Sequence, residues 1–409
     1  MDKIEEKIIK IIDDNKEKLI AFARDIYTHA ELGYKEFQTS GKFVKKMEQL
    51  GLRTEKGFAI TGVKAYLNED KKENASLALL GELDALRIPE HAFANPETNA
   101  AHCCGHHAQM AGIFGAALAL TVPEIAEKLG GQVVFFATPA EEYGEIEFKN
   151  QLREQGKIRY GGGKCELIRT GAFDDIDLCL AHHIQPGDEI QVGSGTGNGF
   201  VSKVIRYLGK AAHAAGAPDK GVNALSAASL GLQALGLNRE TFRDEDCVRV
   251  HPIITKGGNL VNVIPDEIVI ETLVRAKTIE AFTDAAKKTD RSFQAGAVAM
   301  GAKVEITTLP GYLPTLAEQA LPELKRAAEL AAPEVPVREA AGHSGGSTDV
   351  GDVQHLMPVY TFNTGGVKGG LHQINFEVTN EEEAYIDTAK MFALAAYGCL
   401  LYTSDAADD

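Results

Sequence analysis

The chain has 409 residues, 44% of them hydrophobic, which is enough for more than one buried core. Its net charge of -16 argues against non-specific binding to nucleic acid, and no basic stripe or arm is present. Six cysteines in a chain of this length, two of them adjacent, do not resemble a disulfide framework, so a cytoplasmic location is expected.

The first residues, Met1-Asp2-Lys3-Ile4-Glu5-Glu6, are charged and lack the apolar core of a signal peptide. Residues 3–29 carry Ile8, Ile11, Ile12, Leu19, Phe22 and Ile26 at helical spacing, with a break expected near Asn15. A second helix is expected over 39–50, ended by Gly51. Strands are expected over 62–67 and over the apolar run Leu77-Ala78-Leu79-Leu80-Gly81. A turn-rich loop follows, then His102-Cys103-Cys104-Gly105-His106-His107 and an Ala- and Gly-rich helix over 108–120. The longest apolar stretch, about 110–122, is too short to span a bilayer, so no membrane partner is expected. Gln132–Ala137 reads as a strand, 149–159 as an exposed, charged helical insertion, and 176–180 as a short strand leading into His182 and His183. Gly161-Gly162-Gly163-Lys164 lacks the hydroxyl residue, the first glycine and the preceding strand of a phosphate loop, which excludes that reading.

To this point strands alternate with helices, which predicts a mixed, mostly parallel sheet in an α/β domain. The pattern then changes. Strands over 202–208, 248–255, 266–274 and 302–308, with helices over 222–237 and 279–300, give the order β-α-β-β-α-β of a ferredoxin-like α+β domain. The expected division is a catalytic domain over 1–199, an inserted domain over 200–310, and the rest of the catalytic domain over 311–409. In the last part a helix is expected over 316–332, a strand over 359–362 and a helix over 381–401. Beyond it lies a polar, frayed tail from Thr403 to Asp409.

Chemistry gathers at strand ends. Glu82 and Asp84 follow one strand, Glu141 and Glu142 another, His183 a third, and His372 sits in the run Gly369-Gly370-Leu371-His372. In open α/β sheets such ends carry the ligand site. Thiolate, imidazole and carboxylate are the ligand types of zinc and neighbouring metals. The set Cys104, His106, Glu142, His183 and His372 is large enough for two metal ions. Successive side chains of extended backbone point to opposite sides, so one of Glu141 and Glu142 can ligate while the other takes a proton. Alone, a Glu-Glu pair would more often be a solvated turn. Gly342-His343-Ser344-Gly345-Gly346 fits the nucleophile elbow of serine hydrolases, but only a Pro-interrupted strand precedes it and a loop follows. A Gly-rich backbone loop fits it better.

These residues resemble the di-metal aminoacylase/carboxypeptidase family. Its members include hippurate hydrolase, indole-acetyl-amino-acid hydrolases and p-aminobenzoyl-glutamate hydrolase. The motifs that match are His102-Cys103-Cys104-Gly105-His106, Pro139-Ala140-Glu141-Glu142, His183 and Leu371-His372. Gly209-Lys210-Ala211-Ala212-His213, then Asn262-Val263-Ile264-Pro265 with Arg275, resemble the signatures of the inserted domain, and Gly346–Asp352 resembles the p-aminobenzoyl-glutamate branch. The residue after His106, often Asp in that branch, is His107 here. The resemblance implies an amidohydrolase with two divalent ions, zinc or manganese first, with cobalt or nickel as alternatives. It implies Glu141 as general base, the five named residues as metal ligands, and Asp84 as the group that orients them. It further implies His213 at the partner subunit's oxyanion, and substrate contacts from Asn262, Arg275, Ser347 and Thr348. The inserted domain would act as a lid and hold a homodimer together, and the substrate would be a small N-acyl amino acid or a dipeptide.

Overall fold

A computed structural model of the chain describes residues 1–405, with side chains through Leu401. The chain divides into two compact units. One comprises Met1–Gly195, Leu316–Gly342 and 352 onward; the other comprises Thr196–Thr315 and His343–Gly351.

The first unit is built on an eight-stranded sheet in the order 53–58, 62–67, 132–138, 76–82, 178–184, 359–364, 190–192, 337–339. Its central pairs are parallel, while 53–58, 62–67 and 132–138 pair antiparallel. Every residue of Ser76–Glu82 and Gln132–Thr138 is buried, as expected of strands covered on both faces. The helix His106–Leu120 is apolar all round and buried along nearly its whole length. It packs against the terminal helix at van der Waals distance because Gly115 has no side chain. A Cβ there would lie 2.4 Å from that of Ala389. This packing brings the start of the helix, His106, to the carboxyl end of the sheet.

The second unit is an antiparallel sheet with strands in the order 249–250, 267–276, 199–208, 303–310, and 253–256 also pairs with 267–276. The helices Ala224–Asn238 and Ile279–Met300 pack on it. Glu267–Ala276 alternates strictly, with Ile268, Ile270, Thr272, Val274 and Ala276 buried. This is the ferredoxin-like arrangement that the order β-α-β-β-α-β predicts.

Several elements differ from the sequence reading. The strand expected over 248–255 is split at Pro252, which has no N–H to donate to a ladder. The helix expected over 316–332 spans only Pro322–Ala331. Pro322 occupies its first turn, where a missing N–H costs nothing, and Glu318 upstream is extended and bridged to Ser194. The strand near 176–180 runs over Leu178–Ile184 and therefore carries His182 and His183 within it. The final helix opens with a π-helical turn, Glu382–Asp387. Arg53–Phe58, largely polar and exposed, forms an edge strand with no signal in the sequence. Residues 343–351, placed by sequence in the catalytic domain, cluster with the second unit because His343-Ser344 pairs with Thr196-Gly197. The insertion is not simply exposed: its helix, Ile146–Glu154, buries Lys149 and Leu152. Of the expected tail, 403–405 continue the terminal helix and 406–409 lie outside the described residues. Among the described residues no helix is long and apolar enough to cross a membrane.

Candidate metal centre

Four stretches of the first unit deliver the candidate donors. Cys104 and His106 flank Gly105, whose φ of 88° is left-handed. A Cβ at Gly105 would also lie 2.0 Å from Ile184, so only glycine fits there. Glu141 and Glu142 follow the strand Gln132–Thr138 through Ala140, itself left-handed at φ 50°. His182 and His183 alternate on their strand: His182 turns toward Thr364 and Thr388, and His183 turns toward Cys104. His372 is left-handed too, at φ 61°, and its N–H donates to the Cys103 carbonyl.

All five sequence-predicted ligands come together. Cys104 Sγ lies 3.2 Å from His183 Nε2 and 3.3 Å from His372 Nε2. His372 Nε2 is 3.1 Å from Glu142 Oε1. His106 Nε2 lies 3.1 Å from Glu82 Oε2 and 4.0 Å from Glu141 Oε2. The donors form three overlapping groups: Cys104 with His106 and His183, Cys104 with Glu142 and His372, and Glu82 with His106 and Glu141.

The arrangement suits cations. His106 Nδ1 lies 2.9 Å from the Asp84 carbonyl oxygen, and His183 Nδ1 lies 2.7 Å from that of Ile184. These acceptors assign the proton to Nδ1 and leave the Nε2 lone pairs facing the centre, as metal-ligating imidazoles require. His106 Nε2 and Glu142 Oε1 are buried without any hydrogen bond. Buried polar atoms in folded proteins are rarely left so. Each of the two atoms belongs to a group of donors that could hold a metal ion.

Electrostatics point the same way. Burial and then the Glu142 carboxylate push the Cys104 thiol well above its ordinary value, so thiolate formation there requires a cation. Burial alone would lower His106, but Glu82, Cys104 and Asp84 together hold it well above the usual imidazole range. Burial would raise Glu142; the imidazole of His372, with help from His106, draws it below instead.

Asp84 Oδ1 lies 3.3 Å from His106 Nδ1. Asp84 Oδ2 accepts the Glu142 N–H at 2.9 Å. Glu36, fully buried, holds the same turn from the other side by accepting the Ala140 N–H at 2.8 Å. Sequence reasoning missed this contact. It also missed that Lys164, considered only as part of a phosphate loop, is buried against Glu82 at 2.5 Å. Glu82 is clamped further by Gln109, whose side-chain amide donates to Oε2 at 2.9 Å and accepts the Glu82 N–H at 2.8 Å. Burial would raise this carboxyl, but Lys164, His106 and Gln109 bring it down to about 2. His107 takes no place in the centre; its Nε2 lies 3.1 Å from the Tyr385 hydroxyl. A cavity of about 490 Å³ opens beside Glu142, walled by Leu32, Leu86 and Arg87 and by Glu145, Glu147 and Phe148 of the insertion.

The remaining candidates belong to the second unit. His213 is exposed, and its Nδ1 accepts the N–H groups of Ala215 and Gly216 at 3.2 and 2.9 Å, which leaves the proton on Nε2. Asn262 lies next to it, through the Ala214 N–H to the Asn262 carbonyl and a bridge between His213 and Val263. Arg275 extends from its strand over the Phe200 ring. Thr348 Oγ1 accepts the Val350 N–H, and Ser347 Oγ is buried without a hydrogen bond.

A family model described as Peptidase family M20/M25/M40 matches residues 78–397. The chain is 27% identical over 401 residues to a Xaa-Arg dipeptidase of Mus musculus, covering 94% of this chain and 83% of the relative. It is 26% identical over 389 residues to an N-acetylcysteine deacetylase of Bacillus subtilis, covering 92% and 95%. A solved dinuclear metal-binding peptidase of the M20 family from Bacillus subtilis superposes with a TM-score of 0.64 at 24% identity, covering 94% of this chain and 98% of that one.

Proposed function

Because this chain belongs to peptidase family M20/M25/M40, we propose that it is a metal-dependent amidohydrolase of N-acyl, aroyl or aminoacyl amino acids. The observation that carries the metal is the convergence of Cys104, His106, Glu142, His183 and His372 around buried atoms that no hydrogen bond satisfies. Five donors exceed what one tetrahedral ion with an open position uses, so two ions are proposed, zinc or manganese before cobalt or nickel. When bound, they would supply Lewis acidity and a water of lowered pKa.

Glu141 is the carboxylate left over when Glu142 ligates. It takes the proton of the attacking water and returns it to the leaving amine nitrogen. Asp84 and Glu36 hold the backbone on either side of Glu141 through Glu142 N–H and Ala140 N–H, which fixes where its carboxylate stands. His213, with its proton on Nε2, is a donor ready for the oxyanion, and is proposed to act from the lid of a partner subunit in a homodimer. Asn262 and Arg275 would bind the substrate carboxylate, with Ser347 and Thr348 lining its approach. The cavity beside Glu142 has the size for an acyl or aroyl group. Six free thiols agree with a cytoplasmic location.

A serine esterase acting through Ser344 has little support. Ser344 Oγ accepts the Gly346 N–H, and the neighbouring His343 ring bonds Thr196 and Asn198. The test is a hydrolysis screen of metal-loaded and chelator-stripped protein against N-acyl amino acids, aroyl-glutamates and dipeptides. Release of free amino acid by the loaded protein alone is expected. Turnover that survives chelation and is lost in Ser344→Ala would overturn the proposal.

A further inference from the structure

The five proposed ligands do not include Glu82, although of the carboxylates beside His106 Nε2 it lies nearer than Glu141. His106 Nδ1 is engaged by the Asp84 carbonyl at 2.9 Å, so Nε2 presents a lone pair. Facing it at 3.1 Å is Glu82 Oε2. No hydrogen bond closes the gap at Nε2.

Glu82 did not drift there. Its strand ends at this residue, and Gln109, on the same helix as His106, clamps it at two points of 2.8 and 2.9 Å. Lys164 takes the other oxygen, Oε1, at 2.5 Å. Glu82, Lys164, Gln109 and His106 are all buried. A buried ion pair by itself contributes little to stability, because desolvating both charges offsets their attraction. Here the pair does something more specific: it aims one carboxylate oxygen at an imidazole lone pair.

We infer that Glu82 is a sixth donor of the centre, sharing with His106 the ion that His106 Nε2 binds. Two donors on one tetrahedral ion, with bonds of about 2.0–2.1 Å, stand about 3.3 Å apart, close to the 3.1 Å between Nε2 and Oε2. Glu141 Oε2, at 4.0 Å from the same nitrogen, lies on the edge of this group. Lys164 compensates the added negative charge, so the sixth donor does not make the site more anionic than the five-donor set. The competing account is a proton shared between Nε2 and Oε2, which would make Glu82 a hydrogen-bonding neighbour and no ligand.

The inference rests on the dinuclear reading above, and the test separates the two. Chelator-stripped wild type and Glu82→Gln are titrated with Co²⁺ against a chromophoric chelator, and the visible cobalt bands are recorded at each step. Wild type is expected to take up two ions. Glu82→Gln is expected to bind one of them at least about tenfold more weakly, as much as loss of an orienting neighbour costs, and with altered band intensity and position. Weaker binding with an unchanged spectrum would make Glu82 an outer neighbour and overturn the inference, as would unchanged affinity. A wild type that binds one ion would sink the dinuclear reading, while the comparison of spectra still decides the role of Glu82. If Glu82→Gln does not fold, Glu82→Asp, which keeps the charge and withdraws the oxygen, is judged by the same outcomes.

Discussion

His106 and Asp84 meet twice: the imidazole Nδ1 lies 2.9 Å from the Asp84 carbonyl oxygen and 3.3 Å from its Oδ1. The remaining oxygen, Oδ2, accepts the Glu142 N–H at 2.9 Å. One buried residue thus sets the tautomer of one candidate ligand and the backbone position of another. Removing such a partner typically costs about 10–100-fold in metal affinity. Asp84→Ala should lose affinity on that scale, and Asp84→Asn less, because it keeps one acceptor oxygen. Competition with a chelator measures both. Equal, wild-type affinity in the two variants would show that Asp84 does not orient the centre.

Glu141→Gln keeps the shape of the side chain and removes its ability to accept a proton. General-base catalysis contributes about two to four orders of magnitude. The variant should therefore lose at least about a hundredfold in kcat and keep its metals. Glu142→Gln should instead lose metal. An active Glu141→Gln beside a fully metallated Glu142→Gln would reverse the two roles.

Asp387 closes the π-helical turn, and its carboxyl is raised to about 7. Burial is the main cause; Lys390 opposes it, and Glu382, Glu383 and Asp13 add repulsion. A raised folded-state pKa means that the folded protein holds this proton over a range where the unfolded chain has lost it. The contribution to stability is therefore full below about pH 4 and is lost as pH rises toward 7. Asp387→Asn should match wild type near pH 4 and become the more stable protein by pH 8, by up to about 4 kcal/mol. Calorimetric scans of both across that range are the check. An offset independent of pH would contradict it.

The candidate ligands were legible because Cys and His cluster in one short run, Glu142 and His183 sit at or near strand ends, and the carboxyl ends of strands in an open sheet converge. The ferredoxin-like unit was legible because its strands and helices follow the order β-α-β-β-α-β, with Glu267–Ala276 alternating throughout. What was not legible depends on distance in sequence or on backbone chemistry that composition hides. Lys164 and Glu82 are 82 positions apart, and nothing local to either marks a buried pair. Glu36 reaches the Ala140 N–H across 104 positions. Pro322 and Pro252 shortened or split elements whose apolar pattern ran on. Lys149 looked like a surface residue of a charged insertion, yet its ammonium donates to the Glu142 carbonyl at 2.6 Å.

For His213 the prediction is complementation. Glu141→Gln and His213→Ala are each expected to be inactive. If His213 acts on the partner subunit's centre, a hybrid dimer holds one site with both lesions and one with neither. At equal amounts about half the dimers are hybrids, so mixing under subunit exchange should restore up to about a quarter of wild-type activity. No recovery despite demonstrated exchange would place His213 in its own subunit's reaction or outside the reaction.

The central claim is that Cys104, His106, Glu142, His183 and His372 assemble a two-ion centre. Its most direct test is the metal content of protein purified without chelator and then loaded with zinc or manganese, read against Cys104→Ser and His106→Ala. The account predicts close to two ions per chain in the wild type and a loss of one or both in each variant. One ion or none in a fully loaded wild type, or two ions retained in both variants, would contradict it.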